Sequence, residues 1–499
     1  MDIHLLHVND VHSQIENHMR LGALLRNLRS ALAARGEWVL TFDIGDTIDR
    51  VRPESEATLG AINAELLGAL GVDGWVFGNN EGLTVPVDRW HNLAVRARTV
   101  VYGTNLRQSS GARFPGFVDT HVYERAGVKI GVFGVTPDYE RPYSVLQVQA
   151  LEPFLAAEAA VASLRDRGCD IVVALSHLGL FTDRELAQQV AGIDVILGGH
   201  THQFMQAAEW VGRTAIFQAG KHAFAFGHTT MNYDPIHKRI VSVHSESLPV
   251  DVHGAFDEAM LFAYQALLLE VETNLSTPIV TLQKPLITRF DEESDFANLL
   301  VDALFEKYSS DLGLMMAGAL NASLLTGDVT TLHVHGACST PTRPVVLSLR
   351  GSDLEQVIAD SLNPKSCLRP GFGFGFRGAV VGFLALAGAQ ACWVRDADGG
   401  RRLLSLSVGG AAVESERWYR VVTCEYLLLS LVFPQFRNAR DIEFEPLLVR
   451  EVLRDAIRRD DLIAAARQRR YSECESEPGT GQVRGKGDTI ELIVNQSER

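Results

Sequence analysis

Apolar positions in the first half of the chain fall into short runs separated by amphipathic stretches. The runs Ile3–Val8, Trp38–Phe42, Gly74–Phe77, Thr99–Tyr102, Ile130–Val135, Ile171–Leu175 and Val195–Leu197 predict strands. Leu21–Ala34 and Pro153–Asp166 repeat apolar residues at three- and four-residue spacing and predict helices. This alternation predicts an α/β layered domain with a mainly parallel sheet, closing near Val250. Phe256–Leu275 is one long apolar-periodic stretch, read as a helix bridging two domains. The second domain is expected to open with a helix around Ser294–Tyr308, capped by Ser294, with Leu299, Leu300, Ala303 and Leu304 inward. Short strands with Gly-rich turns follow. The divisions are residues 1–250, 251–275, 276–471 and a polar, mobile tail over 472–499, in which Thr489–Val494 could add a strand.

Gly378–Val394 carries no charge, but its 17 residues include Gly378, Gly382, Gly388 and Gln390. It predicts two buried strands and a turn rather than a membrane helix. Pro370–Gly378 lacks the glycine spacing and the Lys-Ser/Thr of a phosphate loop, and is read as a plain loop.

Composition narrows the function. The chain has 499 residues, 46% hydrophobic and 21% charged, well beyond the roughly 250–300 residues over which one core grows. Its formal net charge of −15 argues against a nucleic-acid partner, whose binding surfaces are basic. A small anionic substrate stays open, because bound metal ions invert the local field. Cys169, Cys338, Cys367, Cys392, Cys424 and Cys474 form no C-x-x-C pair and are expected to be reduced, buried thiols. Met1-Asp2 has no positive n-region, and Ile3–Val8 is too short for a signal segment. The expectation is a cytoplasmic protein with no membrane partner.

The chemistry lies where the strands end. Asp10 and His12 follow the first run, Asp46 the second, and Asn79 the third. His177 follows Ile171–Leu175, and His200 and His202 follow Val195–Leu197. Ligands of α/β sheets bind beyond the carboxyl ends of strands, so neighbouring strands would bring these side chains to one edge. Such a set can hold two divalent ions; imidazoles suit zinc, manganese, iron or nickel, and the Asp and Asn oxygens widen that choice. Two ions about 3.5–4 Å apart clamp a phosphoryl group and lower the pKa of a bridging water. No serine or cysteine nucleophile is then required. Singly, a strand-end Asp or His is a turn residue or a satisfied polar group. His4, His7, His18, His222 and His228 are read that way, with His7 and Asn9 placed to support neighbouring ligands.

In order, Asn9-Asp10-Val11-His12, Gly45-Asp46, Gly78-Asn79-Asn80-Glu81, Ser176-His177 and Gly199-His200-Thr201-His202 resemble the signature of calcineurin-like metallophosphoesterases. More narrowly, the chain resembles the 5′-nucleotidase branch. Glu292–Leu304 resembles the opening of that branch's C-terminal domain, and Leu314–Asp328 the segment carrying its substrate-binding asparagine and arginine. The resemblance implies an α/β fold class: a four-layered αββα metallophosphatase domain and an α/β 5′-nucleotidase-type C-terminal domain. The latter would supply a nucleotide pocket and rotate on the linking helix. It also implies a first ion held by Asp10, His12, Asp46 and His202. The second would be held by Asp46, Asn79, His177 and His200, with Asp46 bridging.

The chain departs from the family at several positions. Asn80 stands where the family motif Gly-Asn-His-Glu has a histidine that assists phosphate transfer, and Leu83 stands near the place of the aspartate that orients it. In the second domain Asn321 matches the arginine, Met316 or Ala317 the asparagine, and Leu429–Phe433 the Gly-Gly-Asp-Gly-aromatic motif. The chain is similar to a cytoplasmic bacterial subgroup with Gly-Asn-Asn-Glu. The expected function is hydrolysis of a small phosphorylated substrate, a nucleotide or nucleotide derivative. Two ions (manganese, zinc or iron) would serve it, with in-line attack by a metal-bridging hydroxide and Asn80 donating a hydrogen bond to a phosphoryl oxygen. The alternative is a metal- and nucleotide-binding module of weakened catalysis. Phe372, Phe374, Phe376, Tyr426, Phe433 and Phe436 could stack on a base but are read as core or loop anchors.

Overall fold

Each apolar run of the first half forms a strand, but the strands divide between two sheets. The computed structural model describes residues 1–373, 375–396, 399–429, 431–475 and 484–485. Two units are distinguished, Met1–Thr277 and the part from Pro278 onward.

In the first unit, one sheet is ordered Arg239–Pro249, Ala225–Asp234, Asp2–Val8, Trp38–Asp43, Gly74–Val76, Val100–Tyr102, Phe117–Val118. The other is ordered Glu209–Val211, Thr214–Phe217, Val195–Gly198, Ile171–Ser176, Val128–Val135, Thr120–Arg125. Ile3, Leu5, Leu40 and Phe42 of the first sheet pack with Val132, Val173, Leu175 and Leu197 of the second. The outer face of the first sheet is covered by helices Ile15–Ala34, Ala61–Leu70 and Trp90–Ala97. That of the second is covered by Pro153–Asp166 and Leu180–Gln189. Four layers, αββα, result. Strands buried on both faces read as continuous apolar runs, which is why they stood out in the sequence.

The first helix begins at Ile15, earlier than the apolar repeat suggested, and buries the polar His18 inside its first turns. The antiparallel pair Ala225–Asp234 and Arg239–Pro249 extends the first sheet and had no counterpart among the expected strands. The helix Glu258–Ser276 lies on the first unit. Met260 and Val271 are buried there, the Tyr264 hydroxyl donates to Glu54, and the Asn274 amide donates to the Ala57 carbonyl.

The second unit is built around one apolar core. One five-stranded sheet is ordered Leu384–Ala387, Leu312–Met316, Trp418–Cys424, Pro344–Arg350, Arg440–Phe444. The helix Asp295–Lys307 packs on it with Leu299, Leu300, Ala303 and Leu304 buried. Ser294 occupies the N-cap position, but its buried hydroxyl makes no capping bond. The Gly378–Val394 span contains the expected strands and turn: Leu384–Ala387 and Ala389–Arg395 flank Gly388, whose φ of 68° lets the chain pass from one sheet to the other. No helix among the described residues is long and apolar enough to cross a membrane.

The cysteine expectation needs correction. Cys392 and Cys474 form a disulfide, while Cys169, Cys338, Cys367 and Cys424 are buried and free. The strand Tyr471–Glu475 pairs parallel with Ala389–Arg395 and brings the two Cα atoms to 5.9 Å. The thiol count therefore lends no support to a reducing compartment. The tail beyond residue 475, including Thr489–Val494, lies outside the described residues except for 484–485, and so do Phe374 and Ser430.

Candidate metal centre

Strand register brings the chemistry together. Asp2–Val8 runs parallel to Trp38–Asp43 with Val8 opposite Asp43, so the two chains leave the sheet side by side. The Asp10 N–H donates to the Gly45 carbonyl at 3.0 Å, and the His12 N–H to the Asp46 carbonyl at 2.8 Å. In the second sheet, Ile171–Ser176 runs parallel to Val195–Gly198 with Ser176 opposite Gly198. This sets His177 beside Gly199 and His200. The single edge expected from the sequence is thus the shared end of two facing sheets.

Two groups form there, Asp10 with His12 and His202, and Asp46 with His177 and His200. Within each, ligand atoms lie within 4.8 Å of one another. Asp46 faces both groups: its Oδ1 is 3.3 Å from His177 Nε2, and its Oδ2 is 3.8 Å from His12 Nε2. His12 Nε2 and His202 Nε2 stand 3.1 Å apart, and Asp10 Oδ1 lies 3.4 Å from His202 Nε2. Asn79 and Asn80 open the helix Asn79–Thr84 beside them, and the Asn80 backbone N–H donates to Asp46 Oδ1 at 2.8 Å. The Asn80 side-chain amide meets His12 Nδ1 at 3.0 Å.

The backbone is shaped for this arrangement. Asp10, His12, Asp46, His200 and His202 have φ of 54°, 47°, 51°, 71° and 59°. The left-handed region costs an L-residue about 1–2 kcal/mol, and such residues gather at functional sites. Glu81 holds one of these turns: its buried carboxylate accepts the N–H groups of Asp46, Ile48 and Gly78 at 2.9, 2.7 and 2.8 Å. A Cβ on Gly78 would collide with the Asp46 carboxylate, and one on Gly45 with the Gly78 backbone. Asn9 donates to Asp10 Oδ2 at 2.7 Å and to the Gly220 carbonyl. His7 makes no such bond; it is fully buried against Phe217 with both ring nitrogens unpartnered.

The chemistry of the donors fits a pair of divalent ions. His177 Nδ1 lies 2.7 Å from the Ile44 carbonyl and donates its hydrogen there, so the neutral ring would offer a lone pair at Nε2. That Nε2 is buried without a hydrogen-bond partner, and so is the Asn79 amide oxygen. An unpartnered buried polar atom needs an explanation, and beside Asp46 and His200 a bound ion supplies one. Electrostatics agree. Burial disfavours charge on Asp46, yet the neighbouring His177 holds its carboxyl well below the usual range. Burial likewise opposes a charge on His177, but Asp46 pushes it up to about 10. Burial and His177 together lower His200 to about 4. A proton on His177 thus balances the Asp46 charge, and a metal cation would take that proton's place.

Two further residues stand close. The Tyr139 hydroxyl is 3.2 Å from His200 Nε2. The His222 ring lies 5.8 Å from that of His12, and its backbone N–H donates to the Asp10 carbonyl at 2.7 Å. Tyr139 follows the strand Val128–Val135, so the strand-end rule that found the other residues also reaches it. In the second unit Phe376 stacks on Tyr426 at 4.5 Å, and both are buried with Phe433 and Phe436, as core anchors should be. Phe372 is 77% exposed.

The calcineurin-like phosphoesterase family model matches residues 3–204, and the 5′-nucleotidase C-terminal domain model matches residues 278–431. The chain is 30% identical over 457 residues to an uncharacterized metallophosphoesterase of Bacillus subtilis, YunD, covering 90% of this chain and 98% of that one. Its fold is shared with the NAD nucleotidase of Haemophilus influenzae, at a TM-score of 0.66 and 16% identity over 95% of this chain and 97% of that one. A 5′-nucleotidase precursor from Thermus thermophilus gives a TM-score of 0.56 and 20% identity over 95% and 99% of the two chains. With both domains matched in order, and with a relative of that identity covered along nearly its whole length, the chain belongs to the calcineurin-like phosphoesterases of the 5′-nucleotidase type, metal-dependent hydrolases of phosphoric esters.

Proposed function

We propose that the protein hydrolyses a small phosphorylated metabolite, a nucleotide or nucleotide derivative, at a centre of two divalent ions. Asp10, His12, Asp46 and His202 would hold one ion, and Asp46, Asn79, His177 and His200 the other. The observation that carries this reading is Asp46 turning one oxygen toward each group, beside the unpartnered His177 Nε2 and Asn79 oxygen. When bound, such ions supply Lewis acidity and an activated water nucleophile. Manganese, zinc and iron all suit these donors.

The chain's own residues do the rest. Asp46, kept ionised, compensates both positive charges. Glu81 and the Gly45–Gly78 contact hold the Asp46 turn rigid, so the ligands need little reorganisation during reaction. Asn80 stands in the binding region with a neutral amide: it can donate a hydrogen bond to a phosphoryl oxygen but cannot pass a proton to a departing one. The second unit is proposed to bind the rest of the substrate.

Asn80 therefore points to substrates whose leaving groups depart without a proton, such as phosphoanhydrides, activated phosphodiesters and aryl phosphates. The test is phosphate release across mononucleotides, cyclic nucleotides, nucleotide sugars and aryl phosphates, with the metal varied. Log kcat/KM should fall steeply as leaving-group pKa rises. AMP cleaved as fast as an aryl ester, with chemistry rate-limiting, would show that another residue supplies the proton.

A further inference from the structure

Resting on the two-ion reading, the geometry points to Tyr139 as a positioning residue that fixes the tautomer of His200 and turns His200 Nδ1 toward the second ion. Tyr139 is held in place from two sides. At the start of its loop, the Asn105 side-chain Oδ1 accepts the Thr136 N–H at 3.0 Å, and the Asn105 side-chain amide donates to the Thr136 carbonyl at 2.8 Å. One turn beyond, the Tyr143 N–H donates to the Tyr139 carbonyl at 3.0 Å. Tyr143 is fully buried and seated on Gly82, where a Cβ would collide with its hydroxyl. Gly82 belongs to the helix Asn79–Thr84, which carries Asn79 and Asn80. The loop bearing Tyr139 is thereby clamped to an element of the centre itself.

The tautomer that a bound ion requires follows from counting donors. A neutral imidazole has one N–H and one lone pair, and a histidine bound to a metal ion gives its other N–H to a partner that fixes the ring. His177 meets this rule through the Ile44 carbonyl at 2.7 Å, which leaves its Nε2 free. For His200 the polar partner is the Tyr139 oxygen, 3.2 Å from Nε2, with ring centroids 6.4 Å apart. When Nε2 carries the hydrogen and the phenol oxygen accepts it, Nδ1 is left for the ion. With the phenol donating instead, Nδ1 would hold the hydrogen and the ring would offer the ion nothing. His177 and His200 would then bind the same ion through opposite nitrogens. Tyr139 is 41% exposed, so removing its hydroxyl buries no unpaired group and leaves the packing intact.

The test uses the full chain and its Tyr139→Phe variant, both stripped of ions with a chelator. Long-range ¹H–¹⁵N spectra of the ion-free wild type should show His200 protonated at Nε2, and the variant should show a mixture of tautomers. Calorimetric titration with Mn²⁺ should give two binding steps in the wild type. In the variant, one of them should weaken by about 10–100-fold, the usual effect of losing such a partner, while the other is unchanged. A wild type protonated at Nδ1, or a variant with both steps intact, overturns the role of Tyr139. A wild type that binds fewer than two ions overturns the two-ion reading and this inference with it.

Discussion

Glu81 accepts the backbone N–H of Asp46 at 2.9 Å through one carboxylate oxygen and that of Ile48 at 2.7 Å through the other. A helix residue thus sets the turn that presents the residue facing both ligand groups. Burial pushes the Glu81 carboxyl up to about 8, and the Asp46 charge adds to this, while the N–H donors pull it back toward ionisation. In Glu81→Gln, an amide N–H₂ must face a backbone donor. Leaving a buried donor unsatisfied costs about 1–3 kcal/mol, so unfolding free energy should fall by about that amount. Bound metal should fall with it. Denaturant titration and elemental analysis check this pair of outcomes; wild-type values in both would show that Glu81 is not the support of the turn.

His7 gives a pH dependence that is independent of metal. Burial lowers its pKa from 6.5 to about 3. The unfolded chain takes up the proton below pH 6.5, while the folded chain does not until about pH 3. Stability from this residue is therefore complete above pH 6.5 and declines as pH falls toward 3, by up to about 1.4 kcal/mol per pH unit. In chelator-treated protein, His7→Leu should flatten the stability profile between pH 6 and 4. An unchanged slope in the variant would mean that other groups carry the acid sensitivity.

Asn80 and Leu83 share one face of the helix Asn79–Thr84, three residues apart. Leu83 packs against the core between the first sheet and its helices, so a histidine placed alone at 80 would lack a carboxylate to orient it. Asn80→His should change little. Asn80→His with Leu83→Asp should raise the slowest substrates most, approaching the about 10²–10⁴-fold that general acid help contributes, and so flatten the leaving-group slope. An equal rise for aryl and alkyl esters would argue for better binding instead of proton transfer.

What could be read from the sequence, and what could not, divides along physical lines. Asp10, His12, Asp46, Asn79, His177, His200 and His202 were visible because each follows a run that stops abruptly at the sheet edge. Which sheet each run joins was not visible: strands buried on both faces have the same apolar pattern in either sheet, and the facing of Ile3 and Leu5 with Val173 and Leu175 appears only in three dimensions. The antiparallel strand Ala225–Asp234 escaped notice because His228, Thr230 and Asn232 alternate with its buried residues. The disulfide escaped for a different reason. Cys392 and Cys474 are 82 positions apart, and only the parallel pairing of their strands brings them together. Tyr139 follows a strand end as the others do, but a phenol is neither a carboxylate nor an imidazole and carries no ligand signal in a sequence.

The central claim is that two ions, joined by Asp46, carry phosphoester hydrolysis. The most direct measurement is a Mn²⁺ titration of the ion-free full chain, following electron paramagnetic resonance and phosphate release from an aryl phosphate in the same samples. Activity should rise with an exchange-coupled two-manganese signal and reach its maximum at two ions per chain. Asp46→Asn should lose the coupled signal and the activity together, because a neutral amide cannot compensate two adjacent dications. Full activity with a single uncoupled ion, or a coupled pair that persists in Asp46→Asn, would contradict the account.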